Sequence, residues 1–126
     1  MKEIINTDLA PAPIGPYNQA VKAGNTIYVS GQIPLVAATG ELVSGDIALE
    51  TKEVMKNIGF ILQQTGCDYK DIVKTSIFLS DMSLFTDVNA IYGEYFTENA
   101  PARETVAVKE LPKKVRVEIS VIAYKS

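Results

Sequence analysis

The chain has 126 residues, of which 47% are hydrophobic and 21% charged, and its formal net charge is −3. This size and composition predict one globular domain, large enough to form a core without disulfides or a structural metal. Because the chain contains no histidine, Ser-His-Asp catalysis, Cys-His catalysis and imidazole metal sites are excluded. Its single cysteine, Cys67, allows no intramolecular disulfide and no Cys-x-x-Cys site.

The sequence also disfavours several classes of partner. An acidic chain lacks the basic surface that nucleic-acid binding requires, so a nucleic-acid partner is not expected. No glycine-rich phosphate loop is present, and we expect no cofactor. No apolar run approaches the ~20 residues of a membrane helix, and residues 1–6 carry no extended apolar segment of the signal-peptide type. We therefore expect a cytoplasmic protein without a membrane partner.

Hydrophobic periodicity predicts elements in the order β-β-α-β-α-β-β. Residues 10–16 are rich in proline, which favours an extended or turning backbone before the first of them. A small hairpin or loop is expected around Thr39-Gly40. In chain order, the predicted elements are strands Tyr17–Val21 and Thr26–Gln32, a helix from about Asp46 to Thr65, a strand Asp71–Ser80, a helix from near Ser83, and strands of about Ala102–Val108 and Val115–Tyr124.

Both predicted helices have an apolar stripe on one side only. In the first, Asp46 is a candidate N-cap and Gly66 a natural terminator. The second carries aromatic side chains at core spacing, among them Phe85 and Tyr92, and core packing is their predicted role. Two such helices and a mixed, mostly antiparallel sheet predict an α+β two-layer sandwich with both helices on one face. The other face is predicted to expose Arg116 and two further polar residues between apolar neighbours, as a candidate self-association surface.

Two charged residues near the C-terminus stand inside otherwise apolar strands. Arg103 and Glu118 occur in the last two predicted strands, which a Leu-Pro-Lys-Lys turn joins and which are expected to be neighbours. An arginine can bind a carboxylate and a glutamate can position a water, which would allow hydrolysis without histidine. From spacing alone, the alternative that both are solvated charges on a half-exposed sheet stays open.

A series of short motifs extends over nearly the whole chain. They are Ile14-Gly15-Pro16-Tyr17 with Gln19, Val29-Ser30-Gly31-Gln32-Ile33-Pro34, Gly45-Asp46, Asp71-Ile72-Val73-Lys74-Thr75, Val88-Asn89 with Tyr92 and Phe96, Pro101-Ala102-Arg103, Leu111-Pro112 and Val117-Glu118-Ile119. In this order they resemble the reactive intermediate deaminase A (RidA) family, formerly called YjgF-like. The resemblance implies a chorismate-mutase-like fold and a homotrimer whose sheets face inward, with active sites in clefts between adjacent subunits. It also implies cofactor-free hydrolysis of 2-imino acids or their enamine tautomers, such as 2-iminobutanoate and 2-iminopropanoate, to 2-keto acids and ammonia.

The resemblance assigns the catalytic roles to two residues. Arg103 would bind the substrate carboxylate bidentately, and Glu118 would polarise a water and relay a proton to the departing nitrogen. Tyr17 would lie over the substrate and donate a hydrogen bond from its hydroxyl. Ser30 and Gly31 would line the pocket with backbone groups.

The remaining candidate substrate-binding residues are Asn89, which would offer side-chain hydrogen bonds, and Thr105. After Pro-Ala-Arg the family usually has a small or apolar residue, often Ser followed by Cys, where this chain has Glu104 and Thr105. Strand alternation points Glu104 away from Arg103 and places Thr105 on the arginine's face, where it would alter pocket size and polarity. Ser120 stands where the family often has a second glutamate. These departures leave the substrate preference open.

Two other functions also remain open at this stage. A non-catalytic trimer would use Arg103 to bind a small carboxylate metabolite in a regulatory role, and Glu118 would then not be needed. RNA cleavage, an activity sometimes attributed to members of this family, is disfavoured by the negative net charge and the absence of histidine.

Overall fold

We describe the chain from a computed structural model that covers residues 1–126. Its elements, in chain order, are β1 (Lys2–Ile5), β2 (Ala20–Ala23), β3 (Thr26–Gln32), α1 (Ile47–Gln64), β4 (Ile72–Leu79), α2 (Phe85–Gly93), β5 (Ala102–Ala107) and β6 (Val117–Tyr124). A single bridge between Leu35 and Leu42 forms the small hairpin expected around Thr39-Gly40. Neither helix has the length and apolarity that a membrane crossing needs.

The strands form one six-stranded sheet in the order β1-β2-β3-β6-β4-β5. Neighbouring strands are antiparallel except β4 and β5, which run parallel. A parallel pair requires a crossover connection, and α2 supplies it. The predicted α+β fold with a mixed, mostly antiparallel sheet is confirmed.

Three predictions about the strands are wrong. The second strand begins at Ala20 rather than Tyr17, because Tyr17 lies in a turn in which its N–H donates to the carbonyl of Gly15 at 2.8 Å. Strand β1 is absent from the prediction because its four residues bury only Ile5 and so show no alternation. The last two strands are not neighbours: β4 lies between them, since β6 occupies the sheet centre against both β3 and β4.

The predicted first helix is confirmed, with Asp46 and Thr65 as its two caps. The Asp46 carboxylate accepts hydrogen bonds from the N–H groups of Ala48 and Leu49, which have no partners within the helix. Gly66 then takes a φ of 82°, a left-handed conformation that ends the helix at low cost for glycine.

The second helix begins at Phe85 rather than near Ser83. The side chain of Asp81 caps a separate 3-10 turn over Met82–Leu84 by accepting from the N–H of Ser83. The chain therefore completes one tighter turn before α2 starts.

The two faces of the sheet differ in burial. The helix-covered face supplies the core with the alternate buried residues Ile27, Val29, Ile77, Leu79, Val117, Ile119 and Val121. We call the opposite side the open face, and it carries Tyr28, Ser76, Phe78, Glu104, Val106, Glu118, Ser120, Ile122 and Tyr124. Three of its apolar members are about half exposed, Tyr28 at 47%, Val106 at 43% and Tyr124 at 49%. Exposed apolar area of this kind is typical of an interaction surface.

Arg116 is not part of the open face, although alternation predicted it there. It precedes β6 and turns toward the first turn of α1, where its Nε and Nη2 donate to the Glu50 carboxylate at 3.2 and 2.5 Å. Glu50 is only 3% exposed, so its charge requires this partner.

Candidate active site

Arg103 is held at the edge of the sheet by α2. It lies on β5 opposite Thr75 of β4, so its side chain is on the helix-covered face. Its Nη1 donates a 2.7 Å hydrogen bond to Oδ1 of Asn89. The guanidinium also lies 5.1 Å from the centroid of the Tyr92 ring and 5.6 Å from that of Phe85. These contacts fix the arginine while leaving the residue exposed to a ligand.

The three residues that contact Arg103 lie on one stripe of α2. Phe85, Asn89 and Tyr92 are spaced by four and three residues, which places them on the same side of the helix. The hydroxyl of Tyr92 donates to Oγ1 of Thr75 at 3.0 Å and so ties the stripe to β4. Core packing was the predicted role of both aromatic residues, and their contact with Arg103 was missed. The sequence feature that could have indicated this contact was a polar residue, Asn89, within the aromatic stripe of the helix.

We call Phe85, Asn89, Tyr92 and Arg103 the arginine half-site. Thr105 lies on the same strand face, opposite Ile77, as the alternation predicts. Its Oγ1 is buried and has no hydrogen-bond partner. Thr105 therefore adds an unsatisfied hydroxyl beside the arginine.

Glu104 points to the open face, away from Arg103, as predicted. It lies opposite Ser76 and accepts a hydrogen bond from that hydroxyl. Its other oxygen is 3.0 Å from Nζ of Lys74. The Ser76 hydroxyl and Lys74 together lower the pKa of Glu104 below that of an ordinary glutamate. Glu104 therefore stays ionised and leaves the charge of Arg103 unquenched.

Glu118 lies on the open face, opposite Phe78 of β4. Its carboxyl group packs on the backbone of Gly31: a Cβ atom placed on Gly31 would lie 2.5 Å from Oε2 and 2.8 Å from Cδ of Glu118. Glycine is thus the residue that leaves room for this carboxyl group. Partial burial raises the pKa of Glu118 above the usual 4.5, because removal from water disfavours the charged form.

Tyr17, Gly31 and Glu118 line one cavity of about 260 Å³, and we call these three residues the glutamate half-site. Tyr17 is half exposed at the cavity mouth. Ser30 does not line this cavity but lies in an adjoining depression with Tyr17. Its hydroxyl donates to the carbonyl of Asn18 at 2.6 Å, and its N–H donates to the carbonyl of Gln19 at 2.9 Å. Ser30 therefore offers fewer free groups to a ligand than expected.

The two half-sites are not brought together within one chain. Arg103 is on the helix-covered face of β5, Glu118 is on the open face of β6, and β4 separates the two strands. The expectation that Arg103 and Glu118 lie on neighbouring strands is wrong for this reason. No group of three or more Asp, Glu or Cys side chains is clustered as metal ligands would be.

Comparisons with known proteins find close relatives over the whole chain. Residues 7–125 match the family model described as endoribonuclease L-PSP. A RutC family protein of Pyrococcus horikoshii is 50% identical over 99% of this chain and 99% of its own. The 2-iminobutanoate/2-iminopropanoate deaminase of Homo sapiens is 47% identical over 98% of this chain and 90% of its own. The crystal structure of the YjgF gene product of E. coli superposes with a TM-score of 0.92 at 45% identity, over 98% of this chain and 99% of that one.

Proposed function

Since the chain belongs to the RidA/L-PSP family, we propose that it hydrolyses reactive 2-imino acids and their enamine tautomers to 2-keto acids and ammonia. The substrates we propose are small, such as 2-iminobutanoate and 2-iminopropanoate. Relatives that are 47% identical are named for this activity. The observation that carries the proposal is a held arginine together with a partly buried glutamate of raised pKa.

Arg103 is suited to bind the carboxylate of an imino acid. Asn89 and the two aromatic rings hold the guanidinium in place. Of its nitrogens, Nη1 is the one that donates a hydrogen bond to Asn89. The other N–H groups are free to pair with two carboxylate oxygens in the fork geometry of arginine. This pairing would set the orientation of the imine carbon relative to the attacking water.

Glu118 is suited to move the protons of the reaction. An imine carbon is already electrophilic, so a positioned water forms a bond to C2 while one of its protons passes to the Glu118 carboxylate. Glu118 returns that proton to the nitrogen, which gives the 2-amino-2-hydroxy acid. It then takes the hydroxyl proton and passes it to the nitrogen as the C–N bond breaks, so ammonia leaves and the oxygen becomes the carbonyl of the 2-keto acid. A raised pKa brings the carboxyl group closer to the operating pH, which favours both transfers.

We further propose that the protein is a homotrimer with its active sites between subunits. The arginine and glutamate half-sites lie on opposite faces of one sheet, so one substrate molecule cannot contact both in the same copy. An open face with three half-exposed apolar side chains supports self-association through this surface. A ring of copies would place the glutamate half-site of one against the arginine half-site of the next.

Two other functions are weaker. A regulatory protein that binds a small carboxylate would use Arg103 equally well but would gain nothing from the proton transfers of Glu118. RNA cleavage, which the description of the family model names, is opposed by a net charge of −3 and by the absence of histidine.

A coupled assay tests the proposal. A threonine dehydratase releases the imine in place, semicarbazide traps what persists, and the protein is added as wild type, Arg103→Ala or Glu118→Gln. We expect the wild type to suppress the trapped product and both variants to lose the effect, whereas the control variants Lys109→Ala and Glu110→Gln, at exposed sites, retain it. Binding of 2-oxobutanoate should be lost in Arg103→Ala and kept in Glu118→Gln. No suppression by a folded wild type would favour the carboxylate-binding protein.

A further inference from the structure

The cavity of the glutamate half-site extends beyond Tyr17, Gly31 and Glu118. It continues past Leu35 to the 3-10 turn before β6 and has a volume of about 260 Å³. This volume lies just below the ~300–1,000 Å³ of sites for drug-sized ligands, so it leaves space beyond a three-carbon imino acid. The cavity walls are mostly apolar side chains or backbone. The side chain of the substrate is the group that is available to occupy the remaining space.

Lys113 is the one cation that lines this cavity, and Glu118 is the one anion. The structure has two ion pairs, Lys74–Glu104 and Arg116–Glu50, and Lys113 takes part in neither. Glu118, the anion of the same cavity, also takes part in neither pair. Lys113 therefore brings an unpaired positive charge to a partly apolar cavity.

The backbone holds Lys113 in an unusual conformation. Lys113 and Lys114 have φ angles of 54° and 56°, in the left-handed region that costs a residue with a side chain about 1–2 kcal/mol. The buried residues Leu111 and Val115 anchor the turn on both sides, and hydrogen bonds from the N–H groups of Lys114 and Val115 close it at 3.0 and 3.2 Å. Strained residues that a packed frame keeps in place often serve a binding role.

We propose that Lys113 binds the distal carboxylate of dicarboxylic 2-imino acids with four or five carbons, as a specificity residue of the same site. The proposal rests on the proposed deaminase function. Arg103 of a neighbouring copy takes the carboxylate next to the imine carbon, and Glu118 faces the attacking water. The side chain of the substrate then extends through the cavity, and its terminal carboxylate meets the ammonium of Lys113. The reaction at the imine carbon is unchanged.

Kinetics on two imines test this role. A D-amino-acid oxidase acting on D-alanine supplies 2-iminopropanoate, and a D-aspartate oxidase acting on D-aspartate supplies the four-carbon dicarboxylic imine. The variants are Lys113→Asn, which removes the charge while tolerating a left-handed backbone, Lys113→Arg, which keeps it, and Lys114→Asn as the matched control. Lys114 has the same backbone conformation, and like Lys113 it lines a second cavity beside Arg116 and Glu50, but it does not line the cavity of the glutamate half-site.

We expect Lys113→Asn to lower kcat/KM for the dicarboxylic imine by roughly tenfold or more, as for loss of a charged hydrogen bond, and to leave 2-iminopropanoate unchanged. Lys113→Arg should retain both activities, and Lys114→Asn should match the wild type. An equal fall on both imines, or no fall on either, would overturn the proposal. Equal melting temperatures of the variants would show that folding is not the cause.

Binding separates this inference from the deaminase proposal. In NMR titrations, 2-oxoglutarate should bind the wild type more tightly than 2-oxobutanoate, and Lys113→Asn should remove that preference. If no imine is hydrolysed but the preference and its loss are seen, the deaminase function fails while the role of Lys113 stands. If the wild type hydrolyses small imines but binds 2-oxoglutarate no more tightly than 2-oxobutanoate, only the role of Lys113 fails.

Discussion

Arg103 and Glu118 project from opposite faces of the same sheet, on strands that β4 separates. Arg103 faces the helices together with Thr75, whereas Glu118 faces away from them together with Phe78. In the proposed reaction both side chains contact one substrate molecule. One chain would therefore hold two unlike halves of an active site, and self-association would be a requirement of catalysis rather than an addition to it.

Tyr92 is expected to position Arg103 as well as to fill the core. Tyr92→Leu removes the ring that lies 5.1 Å from the guanidinium, and we expect KM for the imine to rise by roughly tenfold, since cation–π contacts contribute about 1–2 kcal/mol when partly desolvated. Tyr92→Phe keeps the ring and loses only the hydrogen bond to Thr75, so its KM should stay close to that of the wild type. Steady-state kinetics with thermal unfolding of both variants measure the two effects. A Tyr92→Leu variant that is less stable but has a normal KM would restrict Tyr92 to core packing.

Gly31 is expected to control the position of the Glu118 carboxyl group. In Gly31→Ala the new Cβ would lie 2.5 Å from Oε2, so the glutamate must move. Since this atom is the end of a flexible side chain, the free energy of unfolding should fall by only about 1 kcal/mol, while kcat falls at least tenfold. Gly93→Ala is the control, because no atom lies within 4 Å of its added Cβ. Retained activity in Gly31→Ala would show that the placement of Glu118 is not critical.

Stability as a function of pH should report the burial of Glu118. Its pKa is higher in the folded than in the unfolded chain, so the folded state binds the extra proton, and stability falls as pH rises from 4.5 through the raised pKa. Glu118→Gln has no carboxyl group to titrate at this position, so its stability does not fall with pH for this reason. We expect the variant to be more stable than the wild type at pH 7, with the difference shrinking toward pH 4, although it is catalytically inactive. Urea unfolding at both pH values measures this, and a variant that is less stable at pH 7 would contradict it.

The Arg116–Glu50 pair is expected to stabilise the start of α1. Arg116→Ala would leave the carboxylate of Glu50, only 3% exposed, without its partner. Breaking a buried ion pair costs about 3–5 kcal/mol, and we expect the lower end because Arg116 itself is 39% exposed. The second variant, Arg116→Ala with Glu50→Gln, should recover part of the loss in urea unfolding. Lys74→Ala, which breaks the exposed pair with Glu104, is the control and should change little. A cost for Arg116→Ala no greater than that of the control would refute this role.

The sequence predicted local structure better than the relation between its parts. The caps of α1 and the face of Glu104 follow from one or a few neighbouring residues, and each is confirmed. Which strands are neighbours depends on the β4–α2–β5 crossover, and no local pattern reveals that β6 pairs with β4 instead of β5. The same long-range arrangement placed Arg103 and Glu118 on opposite faces.

Some of the site was hidden for a different reason. An aromatic residue such as Tyr92 has the same helical spacing in the sequence whether it only packs in the core or also contacts an arginine with its ring. From the sequence alone, Lys113 is interpreted as a solvated turn residue, because the sequence shows neither its left-handed φ nor the cavity beside it. These features become visible only when residues that are distant in the chain are placed in three dimensions.

Mixing two inactive variants is the most direct test of a shared active site. Arg103→Ala and Glu118→Gln are each expected to be inactive alone, since every site of the proposed homotrimer would then lack one half. Unfolding and refolding them together at equal amounts should recover about a quarter of the wild-type activity, because that share of head-to-tail interfaces joins an intact Arg103 to an intact Glu118. No recovery from well-folded mixed trimers would contradict a site built from two copies.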